Sequence, residues 1–381
     1  MENALKNRVA IVGAGCTKFG ELYEMSAEQL ICDAAFEALA DARIEPQRIE
    51  AAWVGTQMSP FAGDGLGDAL QLHDIPITRV QNYCASGMDA FRNACLAVAA
   101  GMYDVVLALG FEKMRDGGHH RPARVHPVID QGERAPHIFA LAANRYFKRY
   151  GASKTTLAKV AQKNHHHGTL SPKAHLRMEV SEETVLKAPL IYSPLGLFDC
   201  CPTTDGAAAV VVCRADMAKQ FRADPVYVKG VGLAVVSGQP YYKPSFDYLS
   251  FPATRRAAAS AYEQAGVTPA DIDFAEVHDC FTITEIINYE DLGFCGRGEG
   301  GRFVEEGRAT LGGELPVNPS GGLKSFGHPI GATGVRMLYE LTHQLQGRAG
   351  ARQVKGAELG LAHNLGGPAA VSCVSILGNS L

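Results

Sequence analysis

No apolar run in the 381-residue chain approaches the roughly 20 residues that a membrane-spanning helix needs, which excludes such a segment. The first residues, Met1-Glu2-Asn3-Ala4-Leu5-Lys6-Asn7-Arg8, are polar and lack the apolar core of a secretory signal. Positive charge is not in surplus either: 36 Lys and Arg against 40 Asp and Glu leave a formal net charge of -4. Neither a nucleic acid nor a membrane surface is therefore expected as a partner. The ten cysteines, spread through a long chain without a secretory signal, read as reduced thiols, and the expected location is cytoplasmic. Zinc-site spacings are missing as well. His119-His120 and Lys163-Asn164-His165-His166-His167 are runs of neighbours that cannot all face one ion, so no metal is expected.

What is present is the profile of a globular α/β enzyme, 46% hydrophobic and 20% charged, with material for one large core or two fused ones. Val9 to Gly15, Glu50 to Gly55 and Asp104 to Gly110 read as buried strands, with helices over Ser26 to Ala42 and Ala85 to Ala100 between them. That alternation predicts a parallel sheet covered on both faces. Gly13-Ala14-Gly15 with Gly20 resembles a dinucleotide loop, but no helix opens directly after it to hold a pyrophosphate.

The second half repeats the order. Ile44, Pro46 and Ile49 recur as Val267, Pro269 and Ile272, each 223 positions on. The strand Val226 to Gly232 matches the first strand, Phe274 to Val277 the second and Glu358 to Ala362 the third. Duplication brings loops from both copies to one face, at the carboxyl ends of the strands.

Cys84, in Val80-Gln81-Asn82-Tyr83-Cys84-Ala85-Ser86-Gly87-Met88, is expected at the N-cap of a helix, whose positive end lowers a thiol pKa. It is the candidate nucleophile; a structural cysteine under a turn is the competing reading. The equivalent position in the second copy falls in Ser325-Phe326-Gly327-His328-Pro329, so His328 is expected to face Cys84 and take its proton. His278 and Cys280 follow the Phe274 strand and are expected in the same cleft, where Cys280 is placed to shuttle a proton. His363-Asn364-Leu365-Gly366-Gly367-Pro368 is expected as a loop whose free N–H groups bind an oxyanion. Cys200-Cys201 are expected in the core beside the Asp205 turn. Arg115, Arg121, Arg124 and Arg134, in or beside the Gly- and His-rich stretch 116–134, read as a solvated loop, with phosphate or carboxylate contact as the alternative.

Three segments are long enough to name a family. Asn82-Tyr83-Cys84-Ala85-Ser86-Gly87, Asn318-Pro319-Ser320-Gly321-Gly322 and Gly327-His328-Pro329-Ile330-Gly331-Ala332-Thr333-Gly334 resemble the signature segments of thiolases, and the likeness covers essentially the whole chain. The resemblance implies two duplicated βαβαβαββ halves stacked as a five-layer α-β-α-β-α sandwich. It also implies an N-terminal half at 1–114 plus 213–224, an inserted loop domain covering coenzyme A at 115–212, and a C-terminal half at 225–381. It makes Cys84 the acyl-carrying nucleophile and His328 its base. His278-Asp279-Cys280-Phe281 looks like the sterol-carrier-protein-type branch. There the His helps form an oxyanion hole and the Cys is the acid/base, in place of a late Cys-x-Gly motif that this chain lacks. Asn364 and Gly366 are the remaining oxyanion-hole candidates. Coenzyme A is implied as a substrate, a homodimer as the assembly, and a small zinc-ribbon/OB-fold subunit as a further partner. The substrate expected from the resemblance is benzoylsuccinyl-CoA, with acetoacetyl-CoA as the alternative. A ketoacyl synthase, a retro-aldolase and a non-catalytic acyl-CoA-binding subunit of the same fold are the competing readings. His278 and His328 could supply the two histidines of a ketoacyl synthase, but Cys280 and the Gly-His-Pro segment favour thiolysis. The presence of Cys84 argues against the retro-aldolase, and intact Cys84, His278, Cys280 and His328 against the non-catalytic subunit.

Overall fold

The computed structural model describes residues 5–60, 62–116, 135–236 and 246–381. In the first half β1 (Val9–Cys16), α1 (Ala27–Ala42), β2 (Ala51–Gly55), α2 (Gly63–Leu70), β3 (Ile77–Val80), α3 (Ser86–Ala99) and β4 (Val105–Glu112) follow one another. An excursion then carries α4 (Ala135–Tyr150), α5 (Lys154–Thr169), α6 (Glu182–Lys187) and the small hairpin β5 (Leu190–Tyr192) and β6 (Leu195–Gly196). The chain re-enters the sheet as β7 (Gly206–Arg214), followed by the short α7 (Ala218–Phe221). The second half contains β8 (Val226–Val235), α8 (Pro252–Ala265), β9 (Phe274–Val277), α9 (Thr282–Asp291) and α10 (Gly300–Glu305). It ends with α11 (Gly322–Ser325), α12 (Thr333–Leu345), β10 (Leu359–Gly366) and β11 (Val371–Gly378).

Nine strands form one sheet in the order β3-β2-β4-β7-β1-β8-β11-β10-β9. The expected parallel sheet is instead mixed: β2 runs parallel to β3 and β4, and β9 to β10, while every pair from β4 through β7, β1, β8 and β11 to β10 is antiparallel. The cause is connectivity. β10 and β11 are joined by four residues, too few for the crossover that a parallel pair needs. Gly206–Val212 already pair with Glu112–Val106, so the excursion ends at Asp205 rather than Val212.

Apolar runs on the strands are buried on both faces. Val105, Leu107, Leu109 and Phe111 of β4 join the core under α1 and α2, while Val106 and Ala108 join the core with α3 and α12. α3 and α12 pack on each other and on strands of both halves, and α8 covers β8 and β11. The layers are thus α1, strands, the α3–α12 pair, strands and α8. Duplication extends to close contacts. A Cβ on Gly13 or Gly15 would strike the α1 backbone at Ala38 or Ala34, and one on Gly230 or Gly232 the α8 backbone at Ala261 or Ala257. These glycines let a helix lie against a strand, which accounts for Gly13 and Gly15 without the dinucleotide loop that the sequence already argued against.

Candidate active site

Cys84 is set in a tight turn. Tyr83 lies in the left-handed region at φ 52, and the amides of Ala85 and Ser86 donate to the carbonyls of Asn82 (3.1 Å) and Tyr83 (3.1 Å). The Ser86 hydroxyl accepts from the Asn82 amide at 2.9 Å and donates to the Tyr83 carbonyl at 2.5 Å. The N-cap of α3 is Ala85, so Cys84 precedes the cap instead of occupying it. The turn abuts the second half: a Cβ on Gly87 would run into the Gly331 carbonyl, and one on Gly331 into the carbonyls of Gly55 and Phe111. Glu112, at the end of β4, clasps the same junction. Its carboxylate accepts from the Thr56 hydroxyl (2.7 Å) and from the amides of Gln57 (3.0 Å), Met58 (2.9 Å), Ser59 (3.1 Å) and Gly331 (3.0 Å).

This contact brings His328 Nε2 to 3.3 Å from Cys84 Sγ. On the far side of the ring, Nδ1 lies 2.7 Å from the Thr333 hydroxyl, which itself donates to the Pro329 carbonyl at 2.9 Å. With its one proton committed to Pro329, Thr333 accepts from Nδ1–H, leaving the Nε2 lone pair toward the thiol. Thr333 escaped the sequence reading although it lies inside the quoted glycine-rich segment, five residues beyond His328.

The His278 ring stands edge-on to His328, with centroids 5.2 Å apart. Asn364 Nδ2 lies 3.1 Å from His278 Nδ1. An amide donating to Nδ1 places the ring proton on Nε2, in the orientation of an oxyanion donor. Cys84, His278 and His328 are a trio whose donor atoms lie within 4.8 Å of one another, so a soft cation could also be held there.

The second half's last hairpin differs from expectation. His363 to Gly366 is not a loop but the end of β10, paired in register with Val374 to Val371. Alternation along the strand separates the roles. Asn364 meets His278, whereas His363 bonds the Thr254 hydroxyl at 3.0 Å and takes no part in the trio. Gly366 faces the Asn82–Ala85 turn, and the amide that reaches the Cys84 sulfur is that of Gly367.

Cys280 is buried beside this group, its thiol held well above the ordinary range by burial and by its neighbours Cys201 and Cys84. The Cys201 amide donates to the Cys280 carbonyl at 2.9 Å. Asp279 anchors the loop by accepting from the Leu323 (2.6 Å) and Lys324 (3.2 Å) amides and from Asn164 Nδ2 (2.7 Å). Asn164 belongs to α5, so the excursion buttresses this loop.

The charge states follow from desolvation. Burial pushes the Cys84 thiol up to about 12, against the pull of the Gly367 amide, and pushes His328 down to about 3, assisted by the Arg336 charge. The resting pair is therefore a neutral thiol and a neutral imidazole, not the ion pair with a lowered thiol suggested by the sequence.

The histidine run disperses, as its spacing implied. His165 stacks edge-on against Phe198, His166 meets Glu179 at 2.8 Å, and His167 bonds the Asn318 carbonyl (2.9 Å) and the Leu311 amide (3.1 Å). Arg115 is tied to Glu21 and Tyr23. His119, His120, Arg121, Arg124 and Arg134 lie outside the described residues.

Residues 9–216 match the family model described as thiolase, N-terminal domain, and residues 235–379 that of a thiolase C-terminal domain-like region. The chain belongs to the thiolase family. An acetyl-CoA acetyltransferase of Methanothermobacter thermautotrophicus is 42% identical over 380 residues, covering 97% of this chain and 98% of that protein. Sterol carrier protein 2 of Bos taurus is 36% identical over 386 residues, 96% of this chain and 71% of that one, in keeping with the sterol-carrier-protein-type branch. Among solved structures, the Ltp2-ChsH2(DUF35) aldolase aligns with a TM-score of 0.89 at 27% identity, covering 99% of each chain. Human mitochondrial 3-ketoacyl-CoA thiolase in complex with CoA aligns at 0.73 over 98% of this chain and 99% of that one; at 19% identity it attests the fold alone. As a thiolase the protein is an acyltransferase with coenzyme A as its substrate.

Proposed function

We propose that this thiolase cleaves a short 3-oxoacyl-CoA with free coenzyme A, acetoacetyl-CoA being the first candidate, and catalyses the reverse condensation. The observation that carries the reading is the 3.3 Å approach of His328 Nε2 to Cys84 Sγ, a nucleophile and a base supplied by opposite halves. His328 takes the thiol proton as sulfur attacks the ketone carbon, and His278 Nε2–H, with the Gly366-Gly367 stretch and Asn364 nearby, stabilises the oxyanion. The carbon–carbon bond breaks, leaving the acyl group on Cys84, and the enolate of the departing acyl-CoA takes its proton from Cys280. Coenzyme A then gives its thiol proton to the Cys280 thiolate and removes the acyl group from Cys84.

The 42% identical relative named acetyl-CoA acetyltransferase supports the short substrate. Benzoylsuccinyl-CoA, expected from the resemblance, belongs in the same assay. The division into halves at 1–114 plus 206–224 and 225–381, with the excursion between them shielding coenzyme A, is part of the proposal. So are a homodimer and a small zinc-ribbon/OB-fold partner, the latter supported by a neighbour whose name pairs it with a DUF35 chain. Ten free cysteines fit a reducing, cytoplasmic setting. The test is a screen of 3-oxoacyl-CoAs with free coenzyme A, following loss of substrate and an acyl adduct on Cys84 by mass spectrometry. Thiolysis of acetoacetyl-CoA is expected; absence of any Cys84 adduct with every substrate would favour a non-catalytic acyl-CoA-binding subunit.

A further inference from the structure

Among the described residues, Lys324 is the buried cation that packing explains least. It lies in α11, three residues before the glycine that leads to His328, and is only 1% exposed. Its Nζ is buried and has no hydrogen-bond partner among the described residues. Other buried cations are paired: Lys163 lies 2.9 Å from Glu285 and 2.7 Å from the Val317 carbonyl, and Arg352 bonds Glu340 at 2.9 Å. An ammonium buried without such a partner is destabilising, so packing alone gives it no reason to be there.

What faces it is a group of thiols. The charge of Lys324 acts on Cys200, Cys201, Asp279 and Cys280, and further along α5 on Lys154 and His165. The backbone supports the same placement: the Lys324 amide is bonded to Asp279 at 3.2 Å, one residue from Cys280, and the Cys201 amide to the Cys280 carbonyl at 2.9 Å. Asp279 does not hydrogen-bond the ammonium; its oxygens are engaged by the Leu323 and Lys324 amides and by Asn164.

We propose that Lys324 is a positioning charge for proton transfer by Cys280, stabilising the buried thiolate that Cys280 becomes after protonating the enolate. The inference rests on the assignment of Cys280 as the acid. When the carbon–carbon bond breaks, the electron pair goes to the α carbon, the Cys280 S–H bond breaks, and its proton forms the new C–H bond. The negative charge is left on Cys280 in surroundings that oppose it. Burial lowers the Lys324 pKa while Cys200, Cys201, Asp279 and Cys280 raise it; in its ammonium form the side chain faces that charge until coenzyme A returns a proton to the sulfur. Lys324 is not among the groups that shift the Cys84 thiol, so acyl loading of Cys84 is expected to depend on it little.

The experiment separates the two half-reactions in the full-length protein. Acylation of Cys84 by acyl-CoA is followed by mass spectrometry. Proton transfer is followed by solvent-deuterium exchange at the α carbon of acetyl-CoA, or of succinyl-CoA where the screen selects it. Lys324→Met is expected to slow exchange about tenfold or more, to leave Cys84 acylation within about twofold, and to be rescued in large part by Lys324→Arg. Lys324→Gln, which keeps a polar end in the same space, serves where the methionine variant does not fold. Unchanged exchange, or equal loss of exchange and acylation in both neutral variants, overturns the proposal. Cys280→Ala run in parallel tells the two assignments apart. Normal exchange there defeats the Cys280 role itself, while lost exchange there with normal exchange in the lysine variants defeats only the role given to Lys324.

Discussion

The carbonyl of Gly331 presses against Gly87 so closely that a methyl group at 87 has nowhere to go, with Val335 Cγ2 3.1 Å from the same point. One residue lies at the start of the helix that follows Cys84, the other three residues beyond His328, so this contact sets the distance between nucleophile and base. Gly87→Ala should therefore push the halves apart although alanine favours a helix. A displacement near 1 Å at a reacting pair costs on the order of a hundredfold in rate, and the clash itself about 1–3 kcal/mol. The expected outcome is a folded protein with lowered Tm and kcat/KM reduced by about a hundredfold. Unaltered kinetics would show that the junction does not govern the pair.

Thr333 fixes the imidazole. Removing its hydroxyl in Thr333→Val leaves His328 Nδ1 without its 2.7 Å partner and frees the ring to rotate or change tautomer. We expect kcat to fall by roughly tenfold to a hundredfold with KM little altered, as for loss of a group that orients a catalytic side chain. Thr333→Ser, which keeps the acceptor, should retain most of the activity. Equal kinetics for the valine and serine variants would remove Thr333 from the mechanism.

Much of this arrangement was legible in the sequence because chemistry-bearing residues stood just after a strand, as His278 and Cys280 do after β9, or just before a helix among small residues, as Cys84 and His328 do. Cys84, His278, Cys280 and His328 could be placed on one face from duplication alone. Strand direction was not legible, since an apolar run such as Val105–Leu109 looks the same whichever way its neighbour runs. The extension of β10 through His363–Gly366 was hidden because Gly366-Gly367 signals a loop, whereas the strand bends only after Gly366 to return as β11. Lys324 was invisible for a different reason. A lysine in the short Gly322-Leu323-Lys324-Ser325 stretch reads as solvated, and only tertiary packing of α11 against the Asp279 loop buries it. The ionisation of Cys84 was misjudged because the helix dipole is local and readable, while desolvation depends on the whole pocket.

Separating the two sulfurs chemically is the most direct check on the assigned roles. Cys84→Ser should form no acyl-enzyme with any acyl-CoA, since its hydroxyl is a poorer nucleophile in the same neutral site. Cys280→Ala should still load Cys84 from acyl-CoA but lose carbon–carbon cleavage by about a hundredfold or more, the usual contribution of an acid or base. Mass spectrometry of the acylated protein and thiolysis rates give both readouts. Wild-type thiolysis by Cys280→Ala would strip that residue of its role.

Stability should depend on acid in a way set by buried histidines. Burial holds His165 at about 4 and His167, His328 and His363 at about 3, against 6.5 for the free side chain, and pushes His278 down as well. Between pH 6.5 and the folded values, the unfolded chain binds protons that the native chain refuses. Stability from these groups is thus complete above about 6.5 and is lost as pH falls, by up to about 1.4 kcal/mol per pH unit for each histidine fully protonated only when unfolded. Urea midpoints should drop steeply from pH 7 to pH 5. His167 tethers Asn318 and Leu311 through its two ring nitrogens, so His167→Gln should cost stability at pH 7 but flatten the pH dependence by close to one proton. A midpoint independent of pH across this range would mean that these imidazoles titrate in the native protein as they do in water.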